Sequence, residues 1–336
     1  MTLPKVRFAP SPTGHLHVGN LRTALVNFLY AKKAGGHFML RIDDTDKQRS
    51  SLKFEESIRD DLKWLGIKWE SEDRQSERLD TYNKALERLI ENGRAYPCYE
   101  TQEELGLKRK ALLMSGKPPV YDRAALRLTE AQKKAYNEQN IMPHYRFLLN
   151  DEVVKWVDLV RGESSIHMSS LSDPVLLRAD GRVIYTLASV VDDIDHGITT
   201  ILRGEDHVTN SAAQIQLFEA LGAKSPDLGH MALLAGAEGE GLSKRLGSLS
   251  TGQLREEGFE PLAIAALLAR IGTSDPIEAF STFDDIIEQF SIKKFTRSTA
   301  KFDPSELSLI NTKTLQLLSF NELSDRFSLE GAPEID

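Results

Sequence analysis

The chain has 336 residues, 40% apolar and 27% charged, with 42 Lys plus Arg against 50 Asp plus Glu and a formal net charge of −8. That composition suits two or three cored domains at about 150 residues each, argues against disorder, and gives no overall pull toward nucleic acid or an anionic membrane. Cys98 is the only cysteine, which excludes an intrachain disulfide and a Cys-rich zinc site; with no run of about 18 apolar residues and no secretory leader, a cytoplasmic chain is expected.

The first element is a strand, KVRFA, ended by Pro10. Pro-Ser-Pro-Thr-Gly then turns the chain, because proline fixes φ and glycine permits positive φ. Leu21, Ala24, Leu25, Phe28 and Leu29 fall at helical spacing, the helix closes near Gly35-Gly36, and HFMLRI reads as a second strand. Strand, turn, helix and strand predict a right-handed βαβ unit opening a parallel sheet. Helices are expected at about 53–65 and 77–92, and residues 100–140 read as charged and helical. Strand pieces follow in HYRFLL, VVKWVDLV and DPVLLRADGRVIYTLA, where Asp180-Gly181 predicts a hairpin between two apolar runs. The α/β texture resumes with the strand TTILRG, a helix over roughly 208–222 and HMALLA, then the glycine-rich loop GAEGEGLSKRLGS; from about 258 the pattern is mostly helical. The densest basic run, KKFTRSTAK at 293–301, reads as a solvated surface loop.

The stretch RFAPSPTGHLHVGNLR packs two prolines, two glycines and two histidines between strand and helix, without the G-x-G-x-x-G or G-x-x-x-x-G-K-[ST] phosphate cradles. A glycine-lined turn at a helix N-terminus still exposes unpaired N–H groups that can hold phosphate, with Gly14 and Gly19 allowing close approach and His17 donating to phosphoryl oxygens. Taken alone, a turn histidine more often only satisfies backbone. His15 and His17 lack a third ligand at metal spacing, so no metal is assigned to them. Asp43, Asp44 and Asp46 in RIDDTD follow a strand at the edge where parallel sheets bind ligands; they could hold an ammonium or magnesium ion or cap the next helix. Lys244, in the glycine-rich loop, is a candidate for neutralising charge on a transferring phosphoryl group, or simply a surface residue.

In this order RFAPSPTGHLHVGNLRTAL, RIDDTD, YTLASVVDD, LRGEDH and LSKR resemble the glutamyl-tRNA synthetases, class I aminoacyl-tRNA ligases. The resemblance runs from about residue 6 to 325 and weakens between 99 and 172. It implies an α/β fold: a Rossmann-like parallel sheet split by a mixed α/β acceptor-binding insertion and followed by a helical stem-contact domain. The divisions expected are 1–95 and 179–240 for the halves of the catalytic domain, 96–178 for the insertion, 241–302 for the lysine loop and stem-contact helices, and 303–336 for the start of a C-terminal helical region that continues in relatives into domains reading the anticodon.

The implied reaction joins L-glutamate to ATP, giving glutamyl-adenylate, and passes the acyl group to the 3′ terminal adenosine of tRNA(Glu), with tRNA(Gln) a second acceptor in some relatives. Its cofactor is Mg2+ with ATP; zinc is not expected, since the cysteine ligands of some relatives are missing. Catalysis falls to His17 and Lys244. Ser11, Thr13, His17, Gly19, Asn20, Asp206, Leu234 and Lys244 match positions around ATP, and Arg7, Ser11, Asp43, Tyr185 and Arg203 match positions around glutamate. The class signature His-x-Gly-His is here His17-Val18-Gly19-Asn20, and the lysine loop begins with Gly241 in place of its usual first lysine. The expected partners are tRNA and L-glutamate, with a monomeric chain and no membrane. Two other readings are a short paralogue that glutamylates a modified tRNA base and a non-catalytic tRNA-binding or regulatory protein.

Overall fold

The computed structural model describes residues 3–236 and 250–319. Strand β1 (Lys5–Phe8) leads through the proline turn into helix α1 (Val18–Lys33), and β2 (His37–Ile42) returns parallel to β1 with Arg7 opposite Met39. Helix α2 (Leu52–Trp64) precedes β3 (Ser71–Arg74), which pairs parallel with β2, and α3 (Leu79–Glu91) follows. Gly36 is required where β2 begins, because a Cβ there would sit 2.2 Å from the Pro4 carbonyl.

The next stretch changes to antiparallel pairing. It holds β4 (Ala95–Cys98), α4 (Gln102–Met114), α5 (Glu130–Glu138), β5 (His144–Phe147), β6 (Val153–Asp158), β7 (Gly162–His167) and β8 (Val175–Leu177). One sheet has the order β4-β5-β8, and β6-β7 is a separate hairpin. Helices α4 and α5 bury no residue and are held locally by Thr-x-x-Glu and Thr-x-x-Gln capping boxes. Residues 115–129 between them form no helix or strand apart from one short 3-10 turn at Ala124–Arg127, so the helical reading of 100–140 holds only at its two ends.

Parallel structure returns with α6 (Tyr185–Asp195), β9 (Thr200–Gly204), α7 (Val208–Ala220) and β10 (Asp227–Met231), the two strands pairing in parallel. Strand β9 lies beside β1, where the Thr199 N–H donates to the Lys5 carbonyl at 2.9 Å. The remaining elements are β11 (Leu234–Gly236), α8 (Thr251–Glu256), α9 (Pro261–Arg270), α10 (Phe283–Gln289), β12 (Ala300–Phe302) and α11 (Pro304–Leu317). One apolar core joins α1 (Leu21, Leu25, Leu29), β1 and β2 to α9; a second joins α3, α6 and α7 to the antiparallel strands. No helix among the described residues is long and apolar enough to cross a membrane.

Two sequence expectations are corrected. The Asp180-Gly181 turn forms, with Gly181 at φ +80, but its second arm pairs only through Val183 before α6 begins at Tyr185. In YTLASVVDDID the apolar residues Leu187, Val190 and Val191 recur at helical spacing and are buried, and this periodicity outweighs the local strand preference. The basic run 293–301 is also more than a solvated loop: Phe295 and Ala300 are buried, β12 pairs parallel with β11, and Lys294 is 2.8 Å from Asp275.

Candidate active site

A cleft of about 860 Å3 opens at the carboxyl ends of the parallel strands, where ligands enter sheets of this kind. Arg7 comes from β1, Asp43 follows β2, Arg203 and Gly204 end β9, and Met231 ends β10. Ser11, Thr13, His17, Gly19, Asn20, Tyr185, Asp206 and Leu234 line the same cleft. Every site residue expected from the sequence is thus brought together except Lys244, which with Gly241 lies outside the described residues. His15 also reaches the cleft, but its Nδ1 is 3.0 Å from Ser57 Oγ and its ring packs edge-on against Phe54, so it is turned to α2.

His17 is the N-cap of α1. Its Nδ1 accepts the Gly19 N–H at 3.1 Å while the Asn20 side chain accepts the His17 N–H at 3.3 Å, a capping box made without Ser or Thr. A nitrogen that accepts carries no hydrogen, so the neutral ring holds its proton at Nε2; burial lowers the His17 pKa and keeps the ring neutral. Nε2–H is then a donor with no partner among the described residues. Gly19 serves this ring first: a Cβ would lie 2.9 Å from His17 Cε1 and 3.0 Å from Nδ1. Gly14 has open space around it.

The floor is a buried charge network. Arg7 gives its Nε and Nη2 to Asp193 at 3.0 and 3.3 Å, leaving Nη1 unpaired among the described residues. Arg41, 1% exposed, donates to both oxygens of Asp43 (2.7 and 3.1 Å) and to Asp193 (2.8 Å), with Asp192 at 3.6 Å. Burial pushes the Asp43 carboxyl up to about 6 against the opposing pull of Arg41. Burial also works to raise Asp193, but Arg7 and Arg41 hold it below the usual range. Asp44 accepts from the Ser76 N–H and hydroxyl (2.8 and 2.7 Å), Asp46 pairs with Arg49, and Ser51 caps α2; none of the RIDDTD carboxylates caps that helix.

At the end of β9, Arg203 donates through Nη1 to the Tyr185 hydroxyl at 2.8 Å and through Nη2 to Ser211 and to Gln214 (2.6 Å). Tyr185 accepts there, so its own hydrogen is free for a ligand. Burial, then the nearby Arg203 cation, lowers the pKa of His207, which packs at 5.6 Å from Tyr185. Gly204 leaves space for Asp206, whose Oδ1 would be 2.5 Å from a Cβ at that position. Arg22, buried in α1, binds the carbonyls of Ala232 (2.7 Å) and Ile271 (2.9 Å) and so fixes the turn before Leu234. Sequence reading missed Arg22, Arg41, Asp193 and His207. The signals available were an arginine inside the otherwise apolar HFMLRI and an Asp-Asp pair inside the apolar VVDDI.

Chemically, the cleft is lined by donors: the His17 Nε2–H, Arg7, Arg203 and the Tyr185 hydroxyl. Residues 5–309 match the family described as tRNA synthetases class I (E and Q), catalytic domain. A glutamate–tRNA ligase of Maricaulis maris is 55% identical over 331 residues, covering 98% of this chain and 74% of that protein. One from Azospirillum brasilense is 53% identical over 320 residues, covering 95% and 72%. A crystal structure of a glutamate tRNA ligase from Elizabethkingia meningosepticum in complex with its amino acid superposes with a TM-score of 0.87 at 30% identity, covering all of this chain and 75% of that one.

Proposed function

The chain belongs to the class I tRNA synthetases for glutamate and glutamine, and on that premise we propose that its cleft is where L-glutamate and ATP react before transfer to tRNA. The activity is that of a glutamate–tRNA ligase: the α-carboxylate attacks the α-phosphorus, pyrophosphate leaves, and the acyl group passes to the tRNA. The base-modifying and non-catalytic alternatives find no support in the relatives described.

The observation that carries the assignment of residues is the set of donors Arg7, Arg203 and Tyr185 lining one cleft. Guanidinium groups cannot accept, so Arg7 and Arg203, with the Tyr185 hydroxyl, suit the side-chain carboxylate of glutamate and leave the NH2 of glutamine facing donors it cannot satisfy. Asp43, which lines the same cleft as Ser11, suits the α-ammonium group. His17 donates from Nε2 to a phosphoryl oxygen, the Gly19 and Thr13 region flanks the nucleotide with Asn20, and Leu234 borders the base. Catalysis here is positioning and charge neutralisation, without a protein nucleophile.

Mg2+ neutralises the triphosphate when bound. Among the described residues no three His, Cys, Asp or Glu side chains could hold an ion unaided, which suits an ion carried mainly by nucleotide oxygens; Asp206 is the cleft carboxylate not tied to a guanidinium. We read residues 1–95 and 179–240 as the two halves of the catalytic domain, 96–178 as the arm that meets the acceptor end of tRNA, 241–302 as the lysine loop and stem-contact helices, and 303–336 as the start of a C-terminal helical region of a monomeric cytoplasmic enzyme; of the last two, 241–249 and 320–336 lie outside the described residues.

Pyrophosphate exchange with glutamate, ATP and added tRNA tests the reading. Arg203→Ala is expected to lower kcat/KM for glutamate by about 1000-fold while leaving ATP affinity within about 3-fold; equal losses for both would count against Arg203. Parallel charging of tRNA(Glu) and tRNA(Gln) decides whether both are acceptors.

A further inference from the structure

Arg203 differs from Arg7 and Arg41, the arginines of the buried charge network, in having no carboxylate within ion-pair distance among the described residues. Arg7 and Arg41 are neutralised by Asp193 and Asp43, whereas the Arg203 fork is held by Tyr185, Ser211 and Gln214, all uncharged. Behind Ser211 the chain of hydrogen bonds continues. Ser211 Oγ is 2.7 Å from His230 Nε2, and His230 Nδ1 is 2.5 Å from Asp158 Oδ2, at the end of β6. Both side chains of that pair are fully buried.

The chemistry of the end groups fixes the direction of every link. Asp158 Oδ1 accepts the N–H groups of Val160, Arg161 and His230, each at 3.0 Å. Burial works to raise its pKa, but these bonds and the one from the His230 side chain hold it well below the usual carboxylate range. A carboxylate only accepts, so the His230 ring carries its proton at Nδ1 and presents Nε2 as an acceptor. A guanidinium only donates, so Ser211 receives Arg203 on its oxygen and gives its own hydrogen to Nε2. Arg203 Nε, 3.5 Å away, also faces that acceptor.

We propose that Asp158, His230 and Ser211 are positioning residues that orient the Arg203 fork toward the substrate's acidic side chain while leaving its charge uncancelled. The one carboxylate of the relay, Asp158, stands behind His230 and Ser211, so it polarises them without occupying the Arg203 fork. The proposal rests on the reading of Arg203 as a glutamate-binding residue. It also gives β6, a strand of the antiparallel stretch, a direct part in building the amino-acid site: the Leu159 N–H donates to the Leu228 carbonyl at 2.8 Å and clamps β6 to β10, which carries His230.

The test compares Ser211→Ala, Asp158→Asn and Arg203→Ala in the full chain by tRNA-dependent pyrophosphate exchange. Asp158→Asn keeps the shape but turns an amide N–H toward His230 Nδ1, which moves the ring proton to Nε2, sends the Ser211 hydrogen to the His207 carbonyl 3.2 Å away, and sets an N–H against Arg203. Ser211→Ala and Asp158→Asn are expected to raise KM for glutamate about 10-fold, to leave KM for ATP within about 2-fold, and to narrow the preference for glutamate over glutamine. An unmoved glutamate KM in both variants, with Arg203→Ala still raising it, overturns the relay and spares the reading of Arg203. An unmoved KM in Arg203→Ala overturns both, and equal shifts in the glutamate and ATP constants reduce the relay to a structural brace and overturn it. Should Asp158→Asn fail to fold, Ser211→Ala decides by the same split.

Discussion

His17 Nδ1 accepts the Gly19 N–H at 3.1 Å, so the imidazole that caps α1 has its remaining nitrogen protonated and available to the cleft. Capping and donation can be separated. Asparagine is a strong N-cap but lacks the Nε2–H, so His17→Asn is expected to keep the melting temperature within about 2 °C and to lower kcat for pyrophosphate exchange by about 100-fold. Gly19→Ala attacks the same ring from the other side. It favours the helix by up to about 1 kcal/mol in propensity, yet its Cβ displaces the imidazole, so stability holds while activity falls at least about 10-fold. Thermal melts run beside the exchange assay check both; loss of stability in step with activity would reduce His17 to a cap.

Arg41 is predicted to be the structural keystone beneath the cleft. It is a buried cation facing Asp43, Asp193 and Asp192, and Arg41→Met leaves those carboxylates with too little compensating charge. Breaking one side of a buried ion network costs about 3–5 kcal/mol. Urea unfolding should show a loss of that size, partly recovered by adding Asp193→Asn; a loss under about 1 kcal/mol would mean that the network contributes little to stability.

The distribution of what could be read from the sequence follows from where the signals lie. The β1–turn–α1–β2 unit was legible because Pro10, Pro12 and the Leu21–Leu25–Leu29 spacing act within a few residues of one another, and the cleft residues were legible because motifs name them. Strand β12 was hidden because three residues inside a basic run carry no periodicity, and β7 because only Ile166 in GESSIH is strongly apolar. The partners that fix the cleft were beyond reach for another reason. Arg7 meets Asp193 across 186 positions, and Asp158 meets His230 across 72, and no local pattern encodes such pairs.

Asp61 supplies a pH dependence of known sign. It is buried beside Thr251 and Arg255, and burial pushes its carboxyl up to about 6 from an ordinary value of 3.8 despite the hydrogen bond to Thr251. Between those values the folded chain holds a proton that the unfolded chain has released, so this group makes stability fall as pH rises from about 4 to 6. Asp61→Asn removes the effect. The variant is expected to match the parent below about pH 4 and to exceed it at pH 7 by up to about 3 kcal/mol, read from denaturant melts across that range. A variant less stable than the parent at pH 7 would show that the ionised carboxylate is a net stabiliser there.

Cys98 is poorly suited to hold zinc. Burial pushes this thiol up to about 12, so it stays protonated at neutral pH, and zinc binds the thiolate. Tyr121 occupies the neighbouring space: its hydroxyl donates to Glu100 at 2.9 Å, accepts the Ala125 N–H at 3.1 Å, and lies 3.8 Å from the sulfur, while Arg146 stacks 4.4 Å from the ring centre. A hydrogen-bonded tyrosine and a stacked guanidinium therefore brace β4 against the segment that follows α4. Metal analysis should find under about 0.1 zinc per chain, and EDTA should leave the melting temperature unmoved. Tyr121→Phe, by contrast, leaves the Ala125 N–H without its partner and Glu100 with Lys108 alone, and is expected to cost about 1–3 kcal/mol. Stoichiometric zinc, or a chelator effect larger than that of the Tyr121→Phe change, would show that Cys98 is drawn out of its apolar surroundings to bind metal.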